Sequence, residues 1–162
     1  MVGISGAILA LSLLSLFLLL KGKFPRPKPL FGGPGIRINS KRDSDGPYLE
    51  IKLHLENPGE VPIYIETSWP EANRLFGKKD FDVTPNATTR IVPPANLVPR
   101  PPSVDFKARP RGRIKACKVT GDVDTNLVVE YRTWIWRHHR RAKYKKKIPA
   151  RTLRDIGVQV ED

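Results

Sequence analysis

Thiols are almost missing from this chain. One cysteine in 162 residues, Cys117, leaves no internal disulfide and no thiolate metal cluster, so the fold must rest on a packed core. Cys117 lies within "RIKACKVTG", read as a strand, and is expected to be a small buried hydrophobe. Histidine is scarce too, at His54, His138 and His139. An adjacent pair on one strand points to opposite faces, which is poor geometry for chelating one metal, and the simpler reading of all three is solvated surface. The chain has no G-x-S-x-G, no H-E-x-x-H and no phosphate-cradling glycine loop. "DVDTN" (122–126) and "DSDG" (43–46) begin like calcium loops. In the first, however, Leu127 stands where glycine must permit the turn, and Thr133 where a glutamate should close the shell; the second fails similarly, and both are read as hairpin turns. These gaps argue against an enzyme and assign no catalytic residue, no metal ligand and no cofactor.

Charge is missing from the first twenty residues, "MVGISGAILALSLLSLFLLL". As a helix, residues 2 to 20 measure about 28 Å, close to the hydrocarbon thickness of a bilayer. A cleaved signal peptide needs a basic segment before the run and a small-residue cleavage site after it, and neither is there. The expectation is a retained transmembrane anchor over residues 1–21, meeting the lipid bilayer through residues 2–20. Lys21, Lys23, Arg26 and Lys28 flank it, and the positive-inside rule then puts the remainder on the cytoplasmic or interior side. "NAT" at 86–88 is a glycosylation pattern that matters only outside, but it is also a good turn.

Acidic residues are scarce late in the chain. The net charge is +13, and residues 100–155 hold 17 basic side chains against 5 acidic ones, whereas residues 29–99 hold 8 against 9. A surplus so placed draws polyanions or an acidic partner.

What is present after the anchor is a proline and glycine spacer, residues 22–35, and then a period of two. In "YLEIKLHLEN" Leu49, Ile51, Leu53 and Leu55 share one face. "NPGEV" turns the chain and "PIYIETSW" repeats the alternation, with Ile63, Ile65, Thr67 and Trp69 together, so the two segments read as a hairpin. Further strands are expected at "DFDVT", "TRIV", "VDFKA", "RIKACKVTG", "NLVVEYRTWIWR" and "IGVQV", with no helical periodicity after residue 21. Some eight strands, with sixteen prolines in turns and edges, predict an all-β domain over residues 36–162: an antiparallel immunoglobulin-like or jelly-roll-like β-sandwich behind a single N-terminal transmembrane helix.

The segment "YLEIKLHLENPGEVPIYIETSW", followed by "VTPNATTRIVPP", resembles the late-embryogenesis-abundant type 14 family, the water-stress and hypersensitive-response domain. There an alternating strand runs into an Asn-Pro turn, here Asn57 and Pro58, and then a P-I-x-I strand. The resemblance covers residues 48–94; the basic C-terminal third departs from it. It implies an immunoglobulin-like sandwich without catalysis, often membrane-tethered in microbes. The layout of anchor, spacer and sandwich also resembles archaellum stator subunits and minor membrane proteins of virions.

The segment richest in candidate function is "RTWIWRHHRRAKYKKK". Leu127, Val129, Tyr131, Thr133 and Ile135 form the core side of one long strand. Arg132, Trp134 and Trp136 fall on the other side and lead into Arg137, His138, Arg140, Arg141, Lys143, Lys145, Lys146 and Lys147. Aromatics among cations suit a docking surface for protein neighbours in a larger assembly such as an envelope, filament base or virion shell. They equally suit phosphates and stacked bases of nucleic acid, or anionic lipid headgroups. The bland alternative is a solvated hairpin end.

Overall fold

The computed structural model describes residues 3–22, 26–30, 35–86, 88–98, 100–133 and 139–161, with side chains in the first segment described at positions 6 and 8–16. The elements run α1 (Gly3–Gly22), β1 (Lys28–Pro29), β2 (Ile36–Asp43), β3 (Gly46–Leu53), β4 (Leu55–Glu56), β5 (Ile63–Glu71), β6 (Phe81–Pro85), β7 (Ile91–Val92) and β8 (Val104–Pro110). They continue with α2 (Gly112–Lys115), β9 (Lys118–Thr120), β10 (Val123–Thr133), β11 (Arg140–Ile148), α3 (Ala150–Asp155) and β12 (Gln159–Glu161).

Two four-stranded antiparallel sheets, in the orders β2-β3-β8-β6 and β11-β10-β5-β7, share one core. Ile38, Ile51 and Phe106 enter it from the first sheet, and Ile65, Leu127 and Val129 from the second. The alternation that sets Leu49, Ile51, Leu53 and Leu55 on one face is real, and all four are fully buried. Burying each such side chain stabilises the fold by about 1.5–3 kcal/mol. The all-β sandwich expected from the pattern is therefore observed.

Several local expectations are corrected. The strands either side of "NPGEV" do not form a hairpin: β3 pairs with β2 and β8, β5 with β10 and β7, so the turn is an arch between the two sheets. Asn57 holds that arch. Its side-chain amide donates to the carbonyls of Val61 (2.8 Å) and Val92 (3.1 Å), and its Oδ1 accepts from the Gly59 amide (3.0 Å). A side chain that satisfies two backbone groups of the arch and one at the edge of the second sheet favours crossing over folding back.

Trp69 is not on the core side with Ile63 and Ile65. The register of β5 against β10 slips by one residue between Glu130 and Tyr131, where Glu66 is the extra residue. A bulge of one residue inverts every later side chain. Ser68 and Pro70 therefore face Val129 and Leu127, while Trp69 lies opposite Val128 on the outer face.

"RIKACKVTG" is not one strand: its first half is the single turn α2, and only β9 is extended. Together with α3 it also corrects the expectation of no helix after residue 21. Ile114 from α2 and Leu153 with Ile156 around α3 are fully buried, so these short helices plug the core where the strands stop. Cys117 is half-buried rather than buried, its thiol 3.3 Å from the Leu75 carbonyl. "DSDG" is the β2–β3 hairpin turn as expected, but in "DVDTN" only the first residue turns; Asp124 and Asn126 lie within β10, and Asp122 accepts from the Ala150 amide at 2.9 Å.

Residues 26–30, expected to be part of a free spacer, are stitched to the sandwich. Lys28 and Pro29 pair with Glu56 and Leu55, and the Leu30 amide donates to the His54 carbonyl (2.9 Å). Backbone groups left open on the short strand β4 supply the partners.

Helix α1 has twenty residues and would measure about 30 Å. Its described side chains Ile8, Leu9, Leu11, Leu13, Leu14 and Leu16 are between 53% and 66% exposed, and at 100° per residue they surround the helix. Among the described residues no helix is long and apolar enough to cross a membrane, so the spanning helix expected over residues 1–21 is not found there.

Candidate functional site

The C-terminal basic run forms β11, an edge strand of nine residues that carries Arg140, Arg141, Lys143, Lys145, Lys146 and Lys147. It is a strand because Ala142, Tyr144 and Ile148 recur at the strand period and reach inward; Ala142 and Ile148 are fully buried. Arg141, Lys143, Lys145 and Lys147 alternate with them, opposite Glu130, Val128, Asn126 and Asp124 of β10. Lysine along an edge strand also blunts pairing with other chains.

Three carboxylates meet these cations on the outer face. Glu130 is buried between Lys78 (2.8 Å) and Arg141 (2.9 Å). Burial of Glu130 opposes its charge, but hydrogen bonds from Lys78 and Arg141 outweigh this and hold its carboxyl below the ordinary range. Glu66 takes Arg132 at 2.9 Å and pairs with His139, and Glu71 takes Lys143 at 2.6 Å. The aromatic rings are covered by the protein's own cations: Tyr64 lies under Arg90 (4.9 Å) and Arg132 (4.6 Å), and Trp69 under Lys78 (4.6 Å) and Arg141 (5.8 Å).

The late positive charge is thus divided and partly compensated. At least eight of the 16 described basic side chains of residues 100–155 sit within ion-pair distance of a carboxylate: Lys107, Arg109, Arg111, Arg113, Lys118, Arg132, Arg141 and Lys143. Lys107 and Arg109 lie on the other large sheet, over Tyr48 and against Asp43. The Arg109 hydrogen bond, helped by Lys107, brings the Asp43 carboxyl down to about 2.

Of the residues singled out in sequence, the structure brings Arg132, Arg140, Arg141 and Lys143 together at one end of the β10–β11 ribbon. Lys145, Lys146 and Lys147 lie toward the other end, around a shallow depression of about 440 Å³ shared with Asp124, Thr125 and Asn126. None of these three lysines has a carboxylate within ion-pair distance among the described residues. Trp134, Trp136, Arg137 and His138 lie outside the described residues, as do Lys23 and the side chain of Lys21. Arg26 and Lys28 belong to the segment stitched to the sandwich: the Arg26 guanidinium donates to the Lys143 carbonyl (2.6 Å) and lies over the Tyr144 ring (5.6 Å), whose hydroxyl donates to the Pro27 carbonyl.

Inspection of the sequence missed Glu66, Glu71, Glu130, Trp69 and Lys78 as members of this surface. A near-neutral middle segment beside a cationic third was the available signal, since the acids of one can neutralise the bases of the other. Among the described residues no three histidine, cysteine or acidic side chains gather as metal ligands. The chain matches no known protein family and no curated protein.

Proposed function

We propose that this is a membrane-anchored, non-enzymatic interaction protein that docks a basic β-sandwich onto neighbours in a larger assembly such as a cell envelope, filament base or virion shell. The observation that carries it is α1, whose described leucines and isoleucine are exposed and surround the helix. Side chains so apolar need an apolar surround, and a bilayer supplies one. The charge-free run through Leu20 and the cations that follow favour the cytoplasmic or interior side for the sandwich. The family resemblance of residues 48–94 agrees with a tethered sandwich that performs no chemistry.

Within the sandwich, the docking surface is the distal half of β11. Lys145, Lys146 and Lys147 keep their charge for an acidic neighbour, whereas Arg132, Arg141 and Lys143 are engaged by Glu66, Glu130 and Glu71. That engagement also weakens the nucleic-acid reading, because Arg132, Arg141 and Lys143 already have partners. The test is alkaline extraction of membranes from cells that express the full chain, with and without residues 3–20, combined with a photocrosslinker at position 145. Full-length protein retained in the pellet, and one crosslinked neighbour lost on Lys147→Glu, support the proposal. Release of the full chain by alkali overturns it.

A further inference from the structure

Residues 26–30 follow α1 after a gap of only four peptide steps, since Gly22 ends the helix and Arg26 is already docked. Four residues span at most about 14 Å. The docking is extensive for so short a segment. Arg26 binds the Lys143 carbonyl and covers Tyr144, Pro27 is buried and accepts from the Tyr144 hydroxyl, Lys28 and Pro29 extend β4, and Leu30 binds His54. Burial pushes the Tyr144 phenol far above its ordinary range, so it stays a hydrogen-bond donor at any physiological pH.

Lys28, Pro29 and Leu30 dock at the end of the sandwich where β3 ends, while Arg26 and Pro27 reach back to the middle of β11, where Lys143 and Tyr144 lie opposite Val128 and Leu127. The β2–β3 hairpin turn at Ser44 and Asp45 lies about 24 Å away, seven residues along β2 at 3.4 Å each. We infer that residues 26–30 are a clamp that holds this end of the sandwich against the bilayer, where Arg26, Lys28 and Arg140 meet anionic lipid headgroups. All three are exposed there, and Arg26 and Arg140 both lie close to Tyr131. The inference rests on the anchored reading of α1 and adds an orientation and a lipid class to it.

The experiment uses the full chain with Cys117→Ala and one fluorophore, at Glu60→Cys on the clamped end or at Ser44→Cys on the far end. Each is reconstituted into vesicles that carry a headgroup-level quencher, of phosphatidylcholine alone or mixed with phosphatidylserine. The expected result is loss of fluorescence at 60 with little loss at 44, greater in the anionic vesicles. That extra loss disappears in Lys28→Gln/Arg140→Gln, and the contrast between the two positions collapses when Arg26→Ala and Tyr144→Phe release the clamp. Equal quenching at 44 and 60 in vesicle-bound protein overturns the clamp, and a contrast indifferent to headgroup charge overturns the lipid contact. Protein that fails to float with either vesicle defeats the anchored reading itself.

Discussion

Replacing Asn57 by alanine should cost this protein more than most single changes outside its apolar core. The side chain is 1% exposed and satisfies the Val61 and Val92 carbonyls and the Gly59 amide, groups that belong to the arch and to an edge of the second sheet. Truncation leaves three backbone groups without their partner. At about 1 kcal/mol net for each, the loss is about 3 kcal/mol. Aspartate is nearly the same shape but has no donor for the two carbonyls, and its negative charge would face them, so Asn57→Asp should be worse than alanine at neutral pH. A protonated aspartic acid recovers one donor. Its carboxyl would therefore titrate higher in the folded protein than in the unfolded chain, and the deficit should shrink as pH falls through that range. Urea unfolding of the full chain in detergent micelles, followed by tryptophan fluorescence, measures this with the slope unchanged. Both variants within about 0.5 kcal/mol of the parent, the range of an indifferent surface change, would show that the arch does not depend on Asn57.

Ser68 and Trp69 each bury a polar atom that has no hydrogen-bond partner among the described residues; Ser68→Ala is expected to be neutral or stabilising by up to about 1 kcal/mol in the same assay, and a clear loss would mean that the hydroxyl has a partner. Acid should weaken the fold through Asp43, whose carboxyl is held down to about 2 by Arg109 and Lys107. A depressed carboxylate contributes stability above its unfolded value that is lost as pH falls through the folded one, so the loss runs from about pH 4 to pH 2 and should flatten in Asp43→Asn. Deleting Glu66 removes the extra residue but leaves Thr67, Ser68 and Trp69 opposite Glu130, Val129 and Val128, so it should cost no more than about 1 kcal/mol, the worth of the Glu66–Arg132 pair it removes; a larger loss, like the roughly 1–3 kcal/mol typical of an overpacked core, would refute the register.

Much of the fold was legible in order along the chain. The apolar residues at every second position of β3 need no neighbours to declare a half-buried strand, because a strand turns its side chains to alternate faces whatever lies beside it. The charge-free opening run likewise declares an apolar helix, found as α1, although among the described residues no helix is long and apolar enough to cross a membrane. Less legible was β11, whose cations masked the recurrence of Ala142, Tyr144 and Ile148. The candidate surface was read only in part: its bases were visible as a run, but their partners Glu66, Glu71 and Glu130 come from two other stretches of chain.

Local pattern by itself determined the β class, the apolar helix and the uneven placement of charge, since periodicity and composition are properties of neighbouring residues. Which strands pair, which face Trp69 takes, and which lysines keep an unopposed charge were decided only when distant segments met. A turn such as the one at Asn57 can close a hairpin or cross between sheets with the same residues, and one extra residue at Glu66 inverts all that follows. Those outcomes depend on hydrogen bonds and ion pairs to groups far away in the chain, which exist only in the assembled sandwich.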